Sequence, residues 1–269
     1  MNAVNDGARL SCTRLSVRVA GRTLLRDLDF ALPSGAVVGL LGCNGAGKTL
    51  TLHTLAGLRP PADGNVLLDG RSIALWPRRA AARRLGLLVQ TTEDPFPSSV
   101  LDAVLIGRHP HIDFWRWESE DDRALARAAL ASVGLAHFER REVGTLSGGE
   151  RRRVAIAALL AQDPDVMLLD EPINHLDPHH QIDVLRLVRA KADAGRAVLM
   201  SLHDASLAAR FCDSVLMMFG DGGWLYGPSR TTLTEDTIAR LYGLRVRELR
   251  WEGGRTFAPI DEKRIADSG

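Results

Sequence analysis

Ala36-Val37-Val38-Gly39-Leu40-Leu41, followed at once by Gly42-Cys43-Asn44-Gly45-Ala46-Gly47-Lys48-Thr49, decides how the rest of the chain is read. The apolar run is the strand context that the spacing G-x-x-x-x-G-K-[ST] needs, and the residues after it fit that spacing. Glycines let the backbone bend until successive N–H groups converge on an anion, and the helix beginning near Lys48 adds its positive end to the same point. Lys48 would reach the β- and γ-phosphates of a nucleotide. Thr49 would put its hydroxyl on Mg²⁺, a hard ion that accepts oxygen ligands. At Cys43 the backbone matters rather than the thiol.

Two further elements belong with this loop. Val166-Met167-Leu168-Leu169 is a continuous apolar run, as expected of a strand buried on both faces of a parallel sheet, and Asp170-Glu171 fall where it would end. Ligands of such sheets gather at that edge. Asp170 would hold Mg²⁺, and Glu171 could orient and deprotonate an attacking water. Leu146-Ser147-Gly148-Gly149-Glu150 has two readings. Ser147 with Glu150 is a capping box that opens a helix through Gln162. Yet two glycines in a first turn weaken a helix by about 1 kcal/mol each, which suggests that something approaches the backbone closely. A helix N-terminus with a serine hydroxyl is also an anion site.

With these residues in order, the chain resembles the nucleotide-binding subunit of ATP-binding cassette (ABC) transporters over nearly its whole length. The matching positions are Gly42 to Thr49, Gln90 after Leu85 to Val89, Leu146 to Glu150, Asp170-Glu171, Asn174-His175-Leu176-Asp177, and His203 after Ala197 to Leu202. The resemblance implies an α/β fold: a P-loop NTPase core with a mostly parallel sheet flanked by helices, an N-terminal antiparallel β subdomain and an inserted helical subdomain. It implies a core formed by residues 8–91 and 161–245, a helical signature subdomain at 92–160 and a C-terminal extension at 246–269. It also implies that Gln90 binds Mg²⁺ and the attacking water and reports to a membrane partner. His203 would hydrogen-bond the γ-phosphate, and Asp177 would lie on a loop crossing a dimer interface. Ser147, Gly148, Gly149 and Glu150 would act on ATP held by the opposite subunit of a head-to-tail homodimer.

Three positions depart from the family pattern. Val19 stands where an aromatic residue usually stacks on adenine. Leu50 follows Thr49 where Ser or Thr is common, and Ile173 replaces the usual Thr after Pro172. Base recognition should weaken while hydrolysis is retained.

Composition is that of a globular protein: 269 residues, 45% apolar, 25% charged. A net charge of +1 gives no electrostatic footprint for nucleic acid, and three scattered cysteines fit reduced thiols in cytosol. No run approaches the roughly 18 apolar residues of a membrane span, and the first residues lack a signal-peptide layout. The resemblance to ABC transporter subunits then implies a peripheral subunit on the cytoplasmic face of the cell membrane, bound to two copies of a separate permease and served indirectly by a periplasmic binding protein. The segment Ser99 to His111, the loop Asn174 to Asp177 and His179-His180-Gln181 resemble the branch that imports iron chelates, heme and cobalamin. Heme is favoured within it, with siderophore or cobalamin as alternatives. An exporter subunit shares every catalytic residue. DNA-repair and translation ATPases typically carry two cores, a coiled-coil insert or zinc cysteines, which are missing here.

Along the chain, strands are expected at Leu10–Val19, Leu28–Leu32, Val37–Leu41, Asn65–Leu68 and Leu85–Val89. Pro95 and Pro97 break the chain. Helices follow at Ser98–Arg108, at Ser119–Val133 with Ser119 as cap and Gly134 as stop, and at Glu150–Gln162. Strands begin again at Val166, Ala197 and Ser214, a helix spans Thr234–Leu241, and the residues from Asp261 onward are polar and loose. His109-Pro110-His111 and His179-His180 are expected to be loop residues rather than metal ligands. Arg151-Arg152-Arg153 reads as a solvated helix face. Phe114, Trp115 and Trp117 are either packing or a docking surface.

Overall fold

A computed structural model describes residues 8–90, 98–113, 115–252 and 254–260. Strands β1 (Leu10–Val19) and β2 (Arg22–Leu32) form an antiparallel hairpin. Its two-residue loop, Ala20-Gly21, has positive φ at both positions, as the tightest hairpin turns require. Then come β3 (Val37–Gly42), α1 (Lys48–Leu55), β4 (Asp63–Leu68), β5 (Arg71–Ser72), α2 (Arg78–Arg84) and β6 (Leu85–Leu88). Helices α3 (Val100–Leu105), α4 (Glu120–Ser132) and α5 (Gly148–Gln162) make a helical layer. The chain continues through β7 (Val166–Leu169), α6 (Pro178–Asp193), β8 (Ala197–Leu202), α7 (Ala205–Phe211), β9 (Ser214–Met218), β10 (Trp224–Pro228), α8 (Ser229–Thr232) and α9 (Glu235–Tyr242). It ends in the hairpin β11 (Val246–Trp251) and β12 (Gly254–Pro259).

The strands assemble as an antiparallel sheet of order β2-β1-β4-β5 and a mostly parallel sheet of order β10-β9-β3-β8-β7-β6, in which β10 alone runs antiparallel. The α/β class and the antiparallel N-terminal sheet are as expected. In the central sheet, alternate residues face opposite layers. Val38, Leu40, Leu168 and Leu199 join the antiparallel sheet and α1 in one core. Val37, Leu41, Met167, Leu169, Val198 and Met200 join the other, which includes α3 to α7. Because β3, β6, β7 and β8 run in one direction, their C-terminal ends meet on one edge of the sheet. Gly42 to Thr49, Gln90, Asp170-Glu171 and His203 all follow those ends.

The helical layer starts on its caps. Ser119 accepts from the Asp122 N–H and Asp122 answers in a capping box, while Gly134 at φ +73° stops the turn after α4. An apolar hollow of about 340 Å³ lies between β6, α3 and α5, lined by Leu87, Val89, Ile106, Val154 and Leu159 among others.

Several expectations need correction. Arg152 is buried rather than solvated. His179 and His180 open α6, where Asp177 caps the helix and Pro178 fills its first position, so they are not loop residues. They also have carboxylate neighbours, since His179 pairs with Asp183 and His180 with Asp177. β2 begins at Arg22 rather than Leu28 because Leu24 and Leu25 are buried. Within the C-terminal extension, Val246–Trp251 and Gly254–Pro259 pair as the last hairpin, for which the sequence offered no strand, and Phe257 is buried in the core. Trp115 and Trp117 are each 90% exposed, so core packing is excluded for both. Pro95, Pro97, Phe114 and the segment from Asp261 lie outside the described residues. No helix among those described is long and apolar enough to cross a membrane.

Candidate active site

The phosphate loop turns on Gly45 (φ +78°) and Gly47 (φ +98°) before α1 begins at Lys48. A Cβ on Gly47 would come within 2.9 Å of the Leu24 side chain, so only glycine fits there. Lys48 is buried and donates to the carbonyls of Gly42 (2.7 Å) and Cys43 (3.3 Å). Burial pushes its pKa down, and Glu171 and Asp170 oppose that shift.

Asn44, Gly45, Gly47, Lys48, Thr49, Leu50, Val19, Gln90, Glu171 and His203 line a single cleft of about 730 Å³, together with Arg22, Leu24, Asn174 and His175. Gly42, Cys43 and Ala46 are not among the residues that line it. The Cys43 thiol instead faces the Leu241 carbonyl.

Glu171 is the hub of this cleft. Gln90 Nε2 donates to its Oε2 at 2.9 Å, Asn174 Nδ2 donates to the same oxygen, and His203 Nε2 lies 2.6 Å from Oε1. Its backbone sits at φ +50°, a left-handed conformation that costs a non-glycine residue about 1–2 kcal/mol. Ser201 secures that conformation by accepting from the Glu171 N–H (2.7 Å) while its own hydroxyl donates to Asp170 Oδ1 (2.7 Å). Asp170 is fully buried, and its other oxygen, Oδ2, has no hydrogen-bond partner among the described residues. A buried carboxylate oxygen left open beside the phosphate loop fits a bound divalent cation.

Arg152 is buried beside these strand ends. Its guanidinium donates to the carbonyls of Val89, Asp170 and Glu171, with longer contacts to Gln90 and Pro172, and so ties the ends of β6 and β7 together. Burial pushes its pKa down to about 10 against the opposing pull of Asp170 and Glu171. Asn174, Ser201 and Arg152 were not picked out as site residues in the sequence. Asn174 lies on a loop already singled out, three residues past Glu171, which is the signal that could have found it.

Ser147, Gly148, Gly149, Glu150 and Asp177 line a second cleft of about 520 Å³ with Arg153, His175, Leu176 and His180. The capping box is present: Glu150 N–H donates to Ser147 Oγ (3.2 Å) and Ser147 N–H to Glu150 Oε2 (2.7 Å). That backbone hydrogen bond holds the Glu150 carboxyl below its usual range, and the His180 N–H does the same for Asp177. The close approach expected at the glycines comes from within the chain at Gly149, where a Cβ would meet the His175 carbonyl at 3.0 Å. Gly148 has no such neighbour: its nearest atom, His175 Cβ, is 4.0 Å away. His175 is the one lining residue that the two clefts share.

Residues 25–174 match the ABC transporter family. The chain belongs to that family. Among its ABC relatives, the cobalamin import ATP-binding protein of Halobacterium salinarum is 40% identical over 88% of this chain and 59% of its own length. This chain therefore spans less than two thirds of that relative. The hemin import ATP-binding protein of Nocardia farcinica is 42% identical over 82% of this chain and 76% of its own. The ferric enterobactin transport ATP-binding protein of Escherichia coli is 38% identical over 88% of both. A structure described as an inward-facing metal-chelate type ABC transporter superposes with TM-score 0.83 at 26% identity, covering 96% of this chain and 100% of that one.

Proposed function

We propose that this chain is the ATP-hydrolysing subunit of a membrane importer and works as a head-to-tail pair. The observation that carries the reading is the separation of the two clefts. Lys48, Gln90, Glu171 and His203 share one cleft, while Ser147 to Glu150 line another that contains none of them. A second copy turned head to tail would bring its Ser147 and Gly148 to the γ-phosphate held over Lys48.

In that arrangement Glu171 takes the proton of the attacking water, and His203 and Lys48 hold the γ-phosphate oxygens. Thr49, Gln90 and Asp170 would hold Mg²⁺, which neutralises phosphate charge when bound. Val19 and Leu50 give adenine and the α-phosphate weaker holds than stacking or a hydroxyl would. Loss of the bridging γ-phosphate lets the pair part, so the nucleotide state becomes the spacing of two attached permease subunits at the cytoplasmic membrane face. The apolar hollow that reaches Val89, next to Gln90, suits a permease segment. For cargo the reading is heme, supported by the 42% identity to the hemin import protein of Nocardia farcinica. Siderophores and cobalamin remain the alternatives.

Replacing Glu171 with Gln should preserve ATP-dependent pairing and lower turnover by about 10²–10⁴-fold, the contribution of a general base. Parent-like turnover in that variant would remove Glu171 from the role. Uptake into vesicles carrying the chain and its permease should favour heme over a ferric siderophore and cobalamin, and the reverse order would overturn the cargo assignment.

A further inference from the structure

Helix α9 ends at Tyr242 because Gly243, at φ +68°, turns the chain away. The two residues at that end touch two segments far apart in sequence, the phosphate loop and the turn after β8. The Leu241 carbonyl accepts from the Cys43 thiol of the phosphate loop at 2.8 Å, and the Tyr242 hydroxyl donates to the His203 carbonyl at 2.9 Å. His203 sits in the short turn between β8 and α7, whose N-terminus is capped by Asp204. From this geometry we propose that Tyr242 is a positioning residue: its hydroxyl pins the backbone of His203 so that the imidazole stays on Glu171 and over the cleft. The assignment rests on reading that cleft as the hydrolytic site.

Three observations support it. Burial raises the Tyr242 pKa, so the hydroxyl remains a donor. The rest of the C-terminal unit braces α8, α9 and α7, the helix that follows His203. Arg255 donates to the carbonyls of Ser229 and Leu233, and the Glu248 N–H donates to the Glu235 side chain at the start of α9. Thr256 and the Phe257 N–H meet the Ser206 hydroxyl on α7. The hairpin β11–β12 thereby acquires a role, that of holding α7 and α9 beside the turn that carries His203.

The test uses the full chain with Tyr242→Phe, which keeps the ring and removes only the hydroxyl. In spectra of histidine-labelled protein, with the His203 signal assigned by its loss in His203→Gln, the Tyr242→Phe variant should shift or broaden that signal. An unmoved His203 signal overturns the proposal whether or not the chain hydrolyses ATP. In turnover, Tyr242→Phe should lower kcat about five-fold, the worth of one hydrogen bond, with the KM for ATP within about two-fold of the parent. In a His203→Ala background the same change should have no further effect, since coupled residues are non-additive. An equal loss in both backgrounds would mean that Tyr242 acts on the fold and not through His203. A His203→Ala variant with parental turnover would instead strike at the reading of the cleft, leaving the spectrum to judge Tyr242.

Discussion

Replacing Arg152 with methionine should destabilise the chain by about 3 kcal/mol, and the figure can be worked from its contacts. The three close acceptors are the carbonyls of Val89, Asp170 and Glu171. Hydrogen bonds from a charged donor are worth about 1.5–3 kcal/mol each, so about 6 kcal/mol is lost in gross. Against this stands the cost of burying the guanidinium. Its pKa of about 10 in the folded chain corresponds to about 3 kcal/mol, which the methionine variant recovers. For a chain of this length the remaining 3 kcal/mol lowers Tm by about 6–12 °C, measurable by calorimetry or thermal circular dichroism. Arg152→Lys keeps the charge but loses the planar fork, and should fall between the two. A methionine variant melting within about 2 °C of the parent would refute the reasoning, because it would mean that the carbonyls at the ends of β6 and β7 find other donors at no cost.

Ser147→Arg should abolish ATP-dependent pairing in size-exclusion or light-scattering measurements while leaving single-site nucleotide binding nearly intact; equal loss of binding would place the second cleft in service of its own chain. Val19→Tyr should tighten ATP binding by at least about five-fold in titration calorimetry, given that base stacking contributes about 1–3 kcal/mol. An unchanged Kd would show that adenine does not lie on this side chain. Asp122 supplies a pH test. The Ser119 hydroxyl, then Arg108, hold its pKa down to about 2 in the folded chain, below its unfolded value, so its contribution is present above about pH 4 and is lost as pH falls towards 2. Asp122→Asn should therefore cost about 2 kcal/mol in urea denaturation at neutral pH, a difference that shrinks at the acid end.

Much of the site was legible because a parallel sheet gathers strand ends that are far apart in sequence. Each apolar run followed by a polar residue, Leu41 before the glycines, Val89 before Gln90, Leu169 before Asp170 and Leu202 before His203, marks a place on one edge. What was hidden depended on partners that exist only after folding. Three successive arginines fan around a helix, and nothing local distinguishes Arg152, which meets the carbonyls of β6 and β7, from Arg151, which stays exposed. Ser201 is an ordinary residue in an apolar strand until β7 lies beside it. The start of α6 was readable, since Asp177-Pro178 is a cap followed by the residue best suited to a first helical position; the histidines after it drew attention elsewhere. The final hairpin gave little warning because only Val246 and Phe257 of its strands are buried.

The left-handed backbone of Glu171 has a practical consequence for anyone engineering this chain. Glycine or asparagine would sit in that conformation more comfortably than glutamate does, so the most relaxed main chain at this position belongs to a sequence without the carboxylate. Libraries sorted for heat tolerance alone will accordingly drift toward sturdier, inert variants at position 171, and any such campaign must screen turnover in parallel.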